Sequence, residues 1–147
     1  TDRGEKDAVT MPRALTARRL LPHRILASSA RRTRDTLAAL LPFLEVDAEI
    51  RLSRELYLSS EDHHIDVIRA QGNGSRTLML LGHNPALHEL ALLLAGTGAE
   101  RDALTAGFPT SAVAVIDFAF QRWTDLEPGE GELVAFLTPR RLKGEDS

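Results

Sequence analysis

Residues 78–85, which read LMLLGHNP, constrain the fold of this chain more than any other stretch. Four aliphatic residues end at a glycine, a histidine and a proline, and the apolar-periodic run 86–95 follows. This order predicts a buried strand over 77–82, a turn that carries His83, and a helix over 85–95. In open α/β sheets, ligands bind at the carboxyl ends of the strands, and a helix N-terminus there favours anions. His83 is therefore placed for phosphate binding or phosphate chemistry, whereas capping of a loop is the structural alternative.

A second β-rich run ends in the same way at residues 24–28, where a serine pair leads into a helix opened by Arg31, Arg32 and Arg34. Basic side chains in a first helical turn oppose the helix dipole, so they suit this position when an anion is bound there. The planar guanidinium of arginine also binds phosphate oxygens in a bidentate manner. Because Arg31 and Arg34 neighbour each other on a helix while Arg32 points elsewhere, we expect one arginine to face inward and the others to be solvated.

The composition is that of an ordinary globular protein, and 147 residues predict one domain, 1–147, that is large enough to bury a core. A net charge of −3 argues against a general nucleic-acid binder and against a polybasic membrane surface. The sequence contains no cysteine, which excludes disulfides, thiolate metal sites and cysteine nucleophiles. Because no apolar run reaches membrane-spanning length and no signal-like segment is visible, we expect a cytoplasmic protein with no membrane or nucleic-acid partner.

Helical and strand patterns alternate along the chain. The predicted elements are, in order, a helix from residue 1 or 2 to about 19 that Pro12 kinks or shortens, a strand over 24–28, a helix over 31–43, a β-run near 49–52, a helix from 61 to about 71, a central strand over 77–82, a helix over 85–95 that Gly96 stops, a looser helical stretch to 107, and β-runs over 112–120 and 132–137. This alternation indicates a three-layer α/β fold with a mostly parallel sheet and helices on both faces. The last two strands predict an antiparallel hairpin at the sheet edge.

Motifs of several enzyme classes are absent from the chain. The 147 residues contain no G-x-S-x-G elbow, no P-loop and no G-x-G-x-x-G pattern. The sequence therefore offers no motif for a serine hydrolase of the elbow type, for an NTPase or for a dinucleotide-binding protein. His83 and His88 lie five positions apart. Residues at this spacing do not lie on the same face of a helix, and they do not match the H-E-x-x-H metal motif. We therefore expect no metal site. Thr110 and Ser111 form a hydroxyl pair on the loop before a strand, where forming a turn and contacting a ligand are both open.

Four blocks of residues in register carry a resemblance to a known family. They are 1–8 (TDRGEKDA), 28–36 (SSARRTRDT), 82–85 (GHNP) with Leu90 and Ala91 behind it, and 109–112 (PTSA). With these blocks the chain resembles the SixA-type phosphohistidine phosphatases, a small-domain branch of the histidine phosphatase, or phosphoglycerate-mutase-like, superfamily. The order and spacing of the blocks cover essentially the whole chain. The resemblance therefore implies a phosphoglycerate-mutase-like fold for residues 1–147.

The resemblance also implies a phosphate site. In the family pattern S-x-x-x-R-x-x-x-T, the phosphate-binding arginine falls on Arg32, and the family's second histidine falls on His83. Both residues would bind the equatorial phosphoryl oxygens and neutralise the charge that develops there. Further hydrogen bonds to the phosphoryl group are expected from Asn84, Thr110 and Ser111.

The nucleophile of this family is a histidine at the end of an N-terminal strand that reads Arg-His-Gly or Arg-His-Ala. No Arg-His pair occurs in the 147 residues, so the nucleophile is expected upstream of Thr1, and the domain 1–147 is expected to lack that strand and to be inactive alone. By the resemblance, the histidine attacks phosphorus in line and forms a phosphohistidine that water hydrolyses, with no cofactor. Glu55 lies near the position where larger members carry an acidic proton donor.

The implied activity is that of a metal-independent phosphatase for phosphohistidine or another phosphoryl group. Its partner would be a phosphorylated protein or a small phosphorylated molecule. Two alternatives stay open. A phosphoglycerate-mutase-like enzyme for a small phosphorylated metabolite would share the site, although the chain lacks the insertions that enclose such substrates in larger members. A catalytically dead phosphate-binding module is what the 147 residues describe literally.

Overall fold

Three parallel strands form the first sheet of the protein, in a computed structural model that describes residues 2–58 and 61–145. The strands are β1 (Arg24–Ser28), β2 (Glu49–Ser53) and β3 (Leu78–Leu81), and β1 lies between the other two. Every residue of β1 is buried, because this strand has a neighbour at each edge and helices on both faces. The three strands that the sequence predicts for this part of the chain are confirmed.

The second sheet contains the remaining strands, β4 (Ala95–Thr97), β5 (Val113–Asp117) and β6 (Gly131–Leu137), in the order β4-β6-β5. β6 pairs in parallel with β4 and antiparallel with β5. The predicted antiparallel pairing of the last two strands is therefore confirmed. The sequence pattern does not predict β4, since three residues directly after a helix are too few to show a strand period.

Helices connect the strands and follow the predicted order, except that the sequence pattern predicts neither α3 nor α7. The helices of the described residues are α1 (Asp2–Ala17), α2 (Arg31–Leu40), α3 (Glu55–Leu58), α4 (Glu61–Gln71), α5 (Ala86–Leu94), α6 (Arg101–Ala106) and α7 (Pro139–Glu145), with 3₁₀ turns at Leu41–Phe43 and Trp123–Asp125. α1 continues through Pro12, so this proline does not end the helix. None of the described helices is long and apolar enough to cross a membrane.

Apolar side chains pack on both faces of the first sheet, as a three-layer α/β fold requires. Successive residues of β3 point to opposite faces, and each face meets a different group of helices. One face packs β3 side chains against α1, α2 and α7, through Ala14, Leu15, Leu40, Leu142, Met79 and Leu81. The other face packs them against α4 and α5, through Ile65, Ile68, Leu90, Leu94, Leu78 and Leu80. The predicted α/β architecture with helices on both faces is confirmed.

A cavity of about 620 Å³ lies between the two sheets. Its walls include Leu78–Leu81 on one side and residues 113–117 on the other. In the described part of the chain, β3 pairs only with β1, and β5 pairs only with β6. Within the described residues, β3 is therefore an edge strand and half-buried throughout, and the predicted buried, central position of the strand over 77–82 is not seen there. The centre of the first sheet is β1 instead.

Two side-chain hydrogen bonds give the relative direction of the strands that border this cavity. At one end, Asn84 Nδ2 donates to the carbonyl oxygen of Phe108 at 2.8 Å, which joins the residues after β3 to those before β5. At the other end, Trp123 Nε1 donates to the carbonyl oxygen of Ser75 at 2.7 Å, which joins the residues after β5 to those before β3. β5 thus runs antiparallel to β3. Apolar clusters on both faces contain side chains of both strands, so the helices bridge the cavity.

Gly96 does not stop α5 in the way that the sequence suggests. α5 ends at Leu94, its C-cap Ala95 is extended, and Gly96 lies inside β4. A Cβ atom at Gly96 would lie 2.0 Å from the carbonyl oxygen of Gly129. The backbone of Gly129 is itself held by a hydrogen bond from its N–H to the carbonyl oxygen of Leu93 at 2.9 Å. Glycine is therefore required at position 96 for a close approach of two backbone segments, not for ending a helix.

The Gly96→Ala variant is expected to lower the free energy of unfolding by about 1–3 kcal/mol, because the added methyl group displaces backbone in a packed region. Gly74→Ala is the matched control, since a Cβ at Gly74 meets nothing within 4 Å, and its effect should stay within about 1 kcal/mol. Urea denaturation of both variants measures the difference. Equal stability of the two variants would contradict the proposed backbone approach.

Candidate functional site

The carboxyl ends of β1 and β3 bring a serine and a histidine into contact. The parallel register pairs Ala27 with Leu81, so the residues that follow on each strand emerge side by side. Ser28 ends β1, and its Oγ lies 2.8 Å from Nε2 of His83. Thr33, on the first turn of α2, places its Oγ1 3.4 Å from the same nitrogen. His83 thus lies where residues 78–85 predict, at the carboxyl ends of the parallel strands.

The surroundings of His83 are buried on one side and open on the other. Ser28 is 0% exposed and Thr33 is 4% exposed, whereas His83 is half-buried and lines the cavity. The ring of Tyr57 meets the imidazole edge to face, with centroids 5.3 Å apart and an angle of 82° between the planes. Tyr57 itself is 52% exposed. The imidazole is therefore held from beneath by hydroxyl groups and from the side by an aromatic ring.

Arg32 lines the same cavity as His83, from the first turn of α2. Its neighbours Arg31 and Arg34 are exposed and are not among the residues that line it. Arg32 is itself exposed, so it differs from its two neighbours in lining the cavity and not in being buried. The N-cap of α2 is Ala30, which makes no side-chain capping bond, and first-turn amides have no helical acceptor. A guanidinium and the amino end of a helix therefore approach one region, which favours an anion there.

The other predicted phosphate ligands, Asn84, Thr110 and Ser111, also line this cavity. All three are exposed at its rim. The side-chain amide of Asn84 already donates to Phe108, so it joins two loops at the rim. Ser111 has a φ of 65°, a left-handed conformation that is uncommon for a residue with a side chain. Such conformations concentrate at functional sites, and they aim a side chain in a direction that ordinary loops do not.

Glu55 is the one predicted site residue that does not line the cavity. It lies at the start of α3 and places its Oε2 3.4 Å from Nε2 of His63. Both side chains are largely exposed, at 58% for Glu55 and 46% for His63. The same short helix brings Tyr57, and not Glu55, against His83. Proton donation by Glu55 stays a prediction.

Sequence reasoning does not single out Ser28, Thr33 or Tyr57 as site residues. A signal for Ser28 exists, since it is the first position of the S-x-x-x-R pattern that ends at Arg32. Thr33 follows that arginine directly, but only the helix geometry shows that its hydroxyl turns toward His83. Tyr57 has no local signal, because an exposed tyrosine on a four-residue helix resembles ordinary surface. Its contact with His83 depends on how α3 packs over the end of β1.

Around His83, the cavity therefore presents the guanidinium of Arg32, several hydroxyl groups and a helix N-terminus, while Arg76, before β3, and Asp117, at the end of β5, also line it. The groups around His83 donate hydrogen bonds and carry positive charge or partial charge, which is what a tetrahedral oxyanion requires. The hydroxyls of Thr110 and Ser111 add donors at the rim. The exposed rim also leaves room for a group attached to a larger molecule.

No protein-family model matches the chain. Among curated proteins, an uncharacterised protein of Mycobacterium leprae (strain TN) is 36% identical over 120 residues, which cover 80% of this chain and 71% of that protein. An uncharacterised protein of Mycobacterium tuberculosis, from strains CDC 1551 / Oshkosh and H37Rv, is 38% identical over 120 residues, which cover 79% of this chain and 73% of that protein. The chain thus shares one family with these mycobacterial proteins.

Several solved structures share the fold of this chain, and their descriptions name a function. A protein of Agrobacterium tumefaciens assigned as the phosphohistidine phosphatase SixA matches with a TM-score of 0.72 and 28% identity, over 95% of this chain and 82% of that one. A Nakamurella multipartitia protein with the same assignment gives 0.73 and 23%, over 95% and 83%. The protein histidine phosphatase SixA complexed with tungstate gives 0.72 and 20%, over 97% and 85%. The last two show the fold alone, and the expected fold is confirmed.

The Arg32→Ala variant is expected to weaken the binding of inorganic phosphate about tenfold or more, because a charge-assisted hydrogen bond contributes about 1.5–3 kcal/mol. Arg34→Ala is the matched control, since Arg34 is exposed on the same turn of α2 but does not line the cavity. Its effect should be less than about twofold. Isothermal titration calorimetry of each variant measures both effects. A similar loss in the two variants would mean that the arginines act only as general positive charge.

Proposed function

Since this chain belongs to the SixA-type histidine phosphatases, we propose that it removes a phosphoryl group from phosphohistidine or from another phosphorylated group, with a phosphorylated protein as its partner. The observation that carries the proposal is that Arg32 and His83 both line one cavity, with Thr33, the residue next to Arg32, 3.4 Å from His83 Nε2. Arg32, Asn84, Thr110 and Ser111 are exposed at the rim. An open rim suits a phosphoryl group carried on a protein side chain better than a small metabolite that must be enclosed.

The nucleophile in this proposal is a histidine on a strand that precedes Thr1. The 147 residues contain no Arg-His pair and no cysteine, so the nucleophile that the family uses is not among them. The cavity between β3 and β5 supports a position for such a strand. Both bordering strands have an edge without a strand partner in the described part of the chain, and helices cover both faces of the gap. An apolar strand there would satisfy both edges.

The course of α1 supports the same position. The residues after α1 lead directly into β1, where the N–H of His23 donates to the carbonyl oxygen of Thr77 at 2.9 Å. The carboxyl end of α1 therefore lies at the amino ends of the strands. With 16 residues, the helix is about 24 Å long, which is long enough to span from the amino ends of the strands to their carboxyl ends. A strand that runs parallel to β3 and continues into α1 would end beside His83.

The proposed reaction has two displacements at phosphorus. The upstream histidine attacks in line through a ring nitrogen, the bond from phosphorus to the leaving group breaks, and a phosphohistidine forms on the enzyme. Water then attacks the phosphohistidine, and inorganic phosphate leaves as the histidine is regenerated. Arg32 and His83 hold the equatorial oxygens in both steps and stabilise the charge that develops on them. Asn84, Thr110 and Ser111 add hydrogen bonds to the same oxygens.

In the full-length protein, Arg32→Ala and His83→Ala are each expected to lower kcat/KM about 100-fold or more, because each removes a group that stabilises charge in the transition state. A phosphohistidine peptide and p-nitrophenyl phosphate serve as substrates, both in the presence of a chelator. Arg34→Ala is the control and should retain the activity of the unaltered protein.

Three results would contradict this mechanism. Activity that disappears in chelator would show that a metal is required. Activity that survives removal of both Arg32 and His83 would mean that the site lies elsewhere. Binding of phosphate, tungstate or vanadate without turnover of any substrate, sugar phosphates included, would favour the phosphate-binding module.

Residues 1–147 by themselves are expected to show no turnover, because Arg32 binds and His83 donates but neither attacks phosphorus in this proposal. Extending the chain to include the preceding native residues should restore turnover and permit trapping of an acid-labile phosphohistidine upstream of Thr1. Mass spectrometry of the trapped enzyme locates the modified residue. Robust turnover by residues 1–147 alone would instead make His83 the leading candidate for the nucleophile.

A further inference from the structure

The Nε2 atom of His83 faces two hydroxyl groups, and the nearer one is fully buried. Ser28 Oγ lies 2.8 Å from Nε2 and Thr33 Oγ1 lies 3.4 Å away. We propose that Ser28 is a positioning residue, whose hydroxyl donates to Nε2 and thereby holds the neutral imidazole of His83 in the tautomer that carries its proton on Nδ1. The effect on catalysis rests on the proposed phosphatase function, whereas the tautomer does not.

The direction of the hydrogen bond is inferred from the hydrogen of the buried Ser28 hydroxyl: if Nε2 carried the proton, Ser28 Oγ would accept from both Ala30 and His83, and its own hydrogen would have no acceptor. The N–H of Ala30 donates to Ser28 Oγ at 3.2 Å. A serine hydroxyl has one hydrogen to donate and two lone pairs to accept with, so the oxygen can accept from Ala30 while it donates to Nε2. Ser28 is 0% exposed at the end of a strand whose residues are all buried. Water therefore does not compete for this hydroxyl, and an imidazole acceptor is its available partner.

Two further contacts keep the ring from turning away. Thr33, which is 4% exposed, supplies a longer contact to the same nitrogen and limits movement toward α2. Tyr57 packs edge to face against the imidazole at 5.3 Å between centroids. A flip of the ring would exchange Nε2 for a carbon at the Ser28 hydroxyl, which would leave a buried polar group without its hydrogen bond. The orientation seen here is thus held by packing and by hydrogen bonding together.

The consequence for the site is a defined donor. With Nε2 accepting from Ser28, the N–H of a neutral His83 is at Nδ1, and this is the donor that His83 can offer to a phosphoryl oxygen. If the imidazole becomes protonated, the second lone pair of Ser28 Oγ can accept from Nε2 without movement of the ring. Ser28 therefore acts through His83 and does not touch the substrate.

The test uses the full-length protein labelled with ¹⁵N and compares Ser28→Ala with Ser53→Ala. Ser53 is paired with Ser28 across the β1–β2 register and makes a matched control at the end of a strand. The Nδ1–H tautomer is expected for His83 in the unaltered protein and in the control, from the ¹⁵N shifts of the imidazole. In Ser28→Ala, the Nε2–H form should appear, and kcat should fall about tenfold with KM within about twofold, as loss of one hydrogen bond predicts.

Two more variants separate positioning from folding. Ser28→Cys keeps the volume of the side chain but has only a weak donor, so it should behave like Ser28→Ala and carries the test if the alanine variant does not fold. Ser28→Thr restores a hydroxyl and should recover the Nδ1–H tautomer and most of kcat. A dominant Nε2–H tautomer in the unaltered protein, or an unchanged tautomer and kcat in Ser28→Ala and Ser28→Cys, would overturn the proposal. The expected tautomers without any turnover would refute the phosphatase function and leave the positioning role intact.

Discussion

The parallel pairing of β1 with β3 is the interaction on which the candidate site depends. Its register sets Ala27 beside Leu81, so both strands end at the same level and their next residues meet. Ser28 and His83 contact each other at that point. α2 begins three residues after β1 ends, and its Arg32 lines the neighbouring cavity. A shift of one residue in this register would turn Ser28 to the other face of the sheet. The cavity would then hold an arginine and a histidine without the buried hydroxyl between them.

The second constraint is the hydrogen bonding of backbone at the edges of β3 and β5. Edge strands present rows of N–H and C=O groups, and proteins generally pair or cover them. Here the two edges border one cavity, while helices on both faces hold apolar side chains from both strands in common clusters. A gap that is bordered by two strand edges and lined by apolar side chains of both strands suits a further strand. Catalysis and folding are coupled in this view, since the segment that completes the sheet is also the one proposed to bring the nucleophile.

Much of the fold can be predicted from the sequence, because hydrophobic periodicity and the residues that begin or end helices and strands act locally. The aliphatic runs that end at Ser28 and at Gly82 predict β1 and β3, and the arginine-rich and proline-opened segments behind them predict α2 and α5. Gly96 shows where local reasoning fails. A glycine after an apolar helix predicts a helix stop, but this one allows the backbone of Gly129 to approach, and that contact comes from a distant turn. The placement of β3 at an edge also depends on pairing, which a run of aliphatic residues does not encode.

The chemistry of the site divides in the same manner. Residue type and spacing by themselves determine that a histidine and an arginine each lie between the end of a strand and the first turn of a helix. The reason is that each strand-to-helix transition is formed by consecutive residues. The exclusion of thiol chemistry is likewise a property of composition. Tertiary structure decides that Ser28 and Thr33 share one nitrogen of His83, that Tyr57 packs against its ring and that Glu55 faces His63 instead of the cavity. The three contacts of His83 join residues 26 to 55 positions apart, and only the packing of strands and helices in three dimensions brings them together.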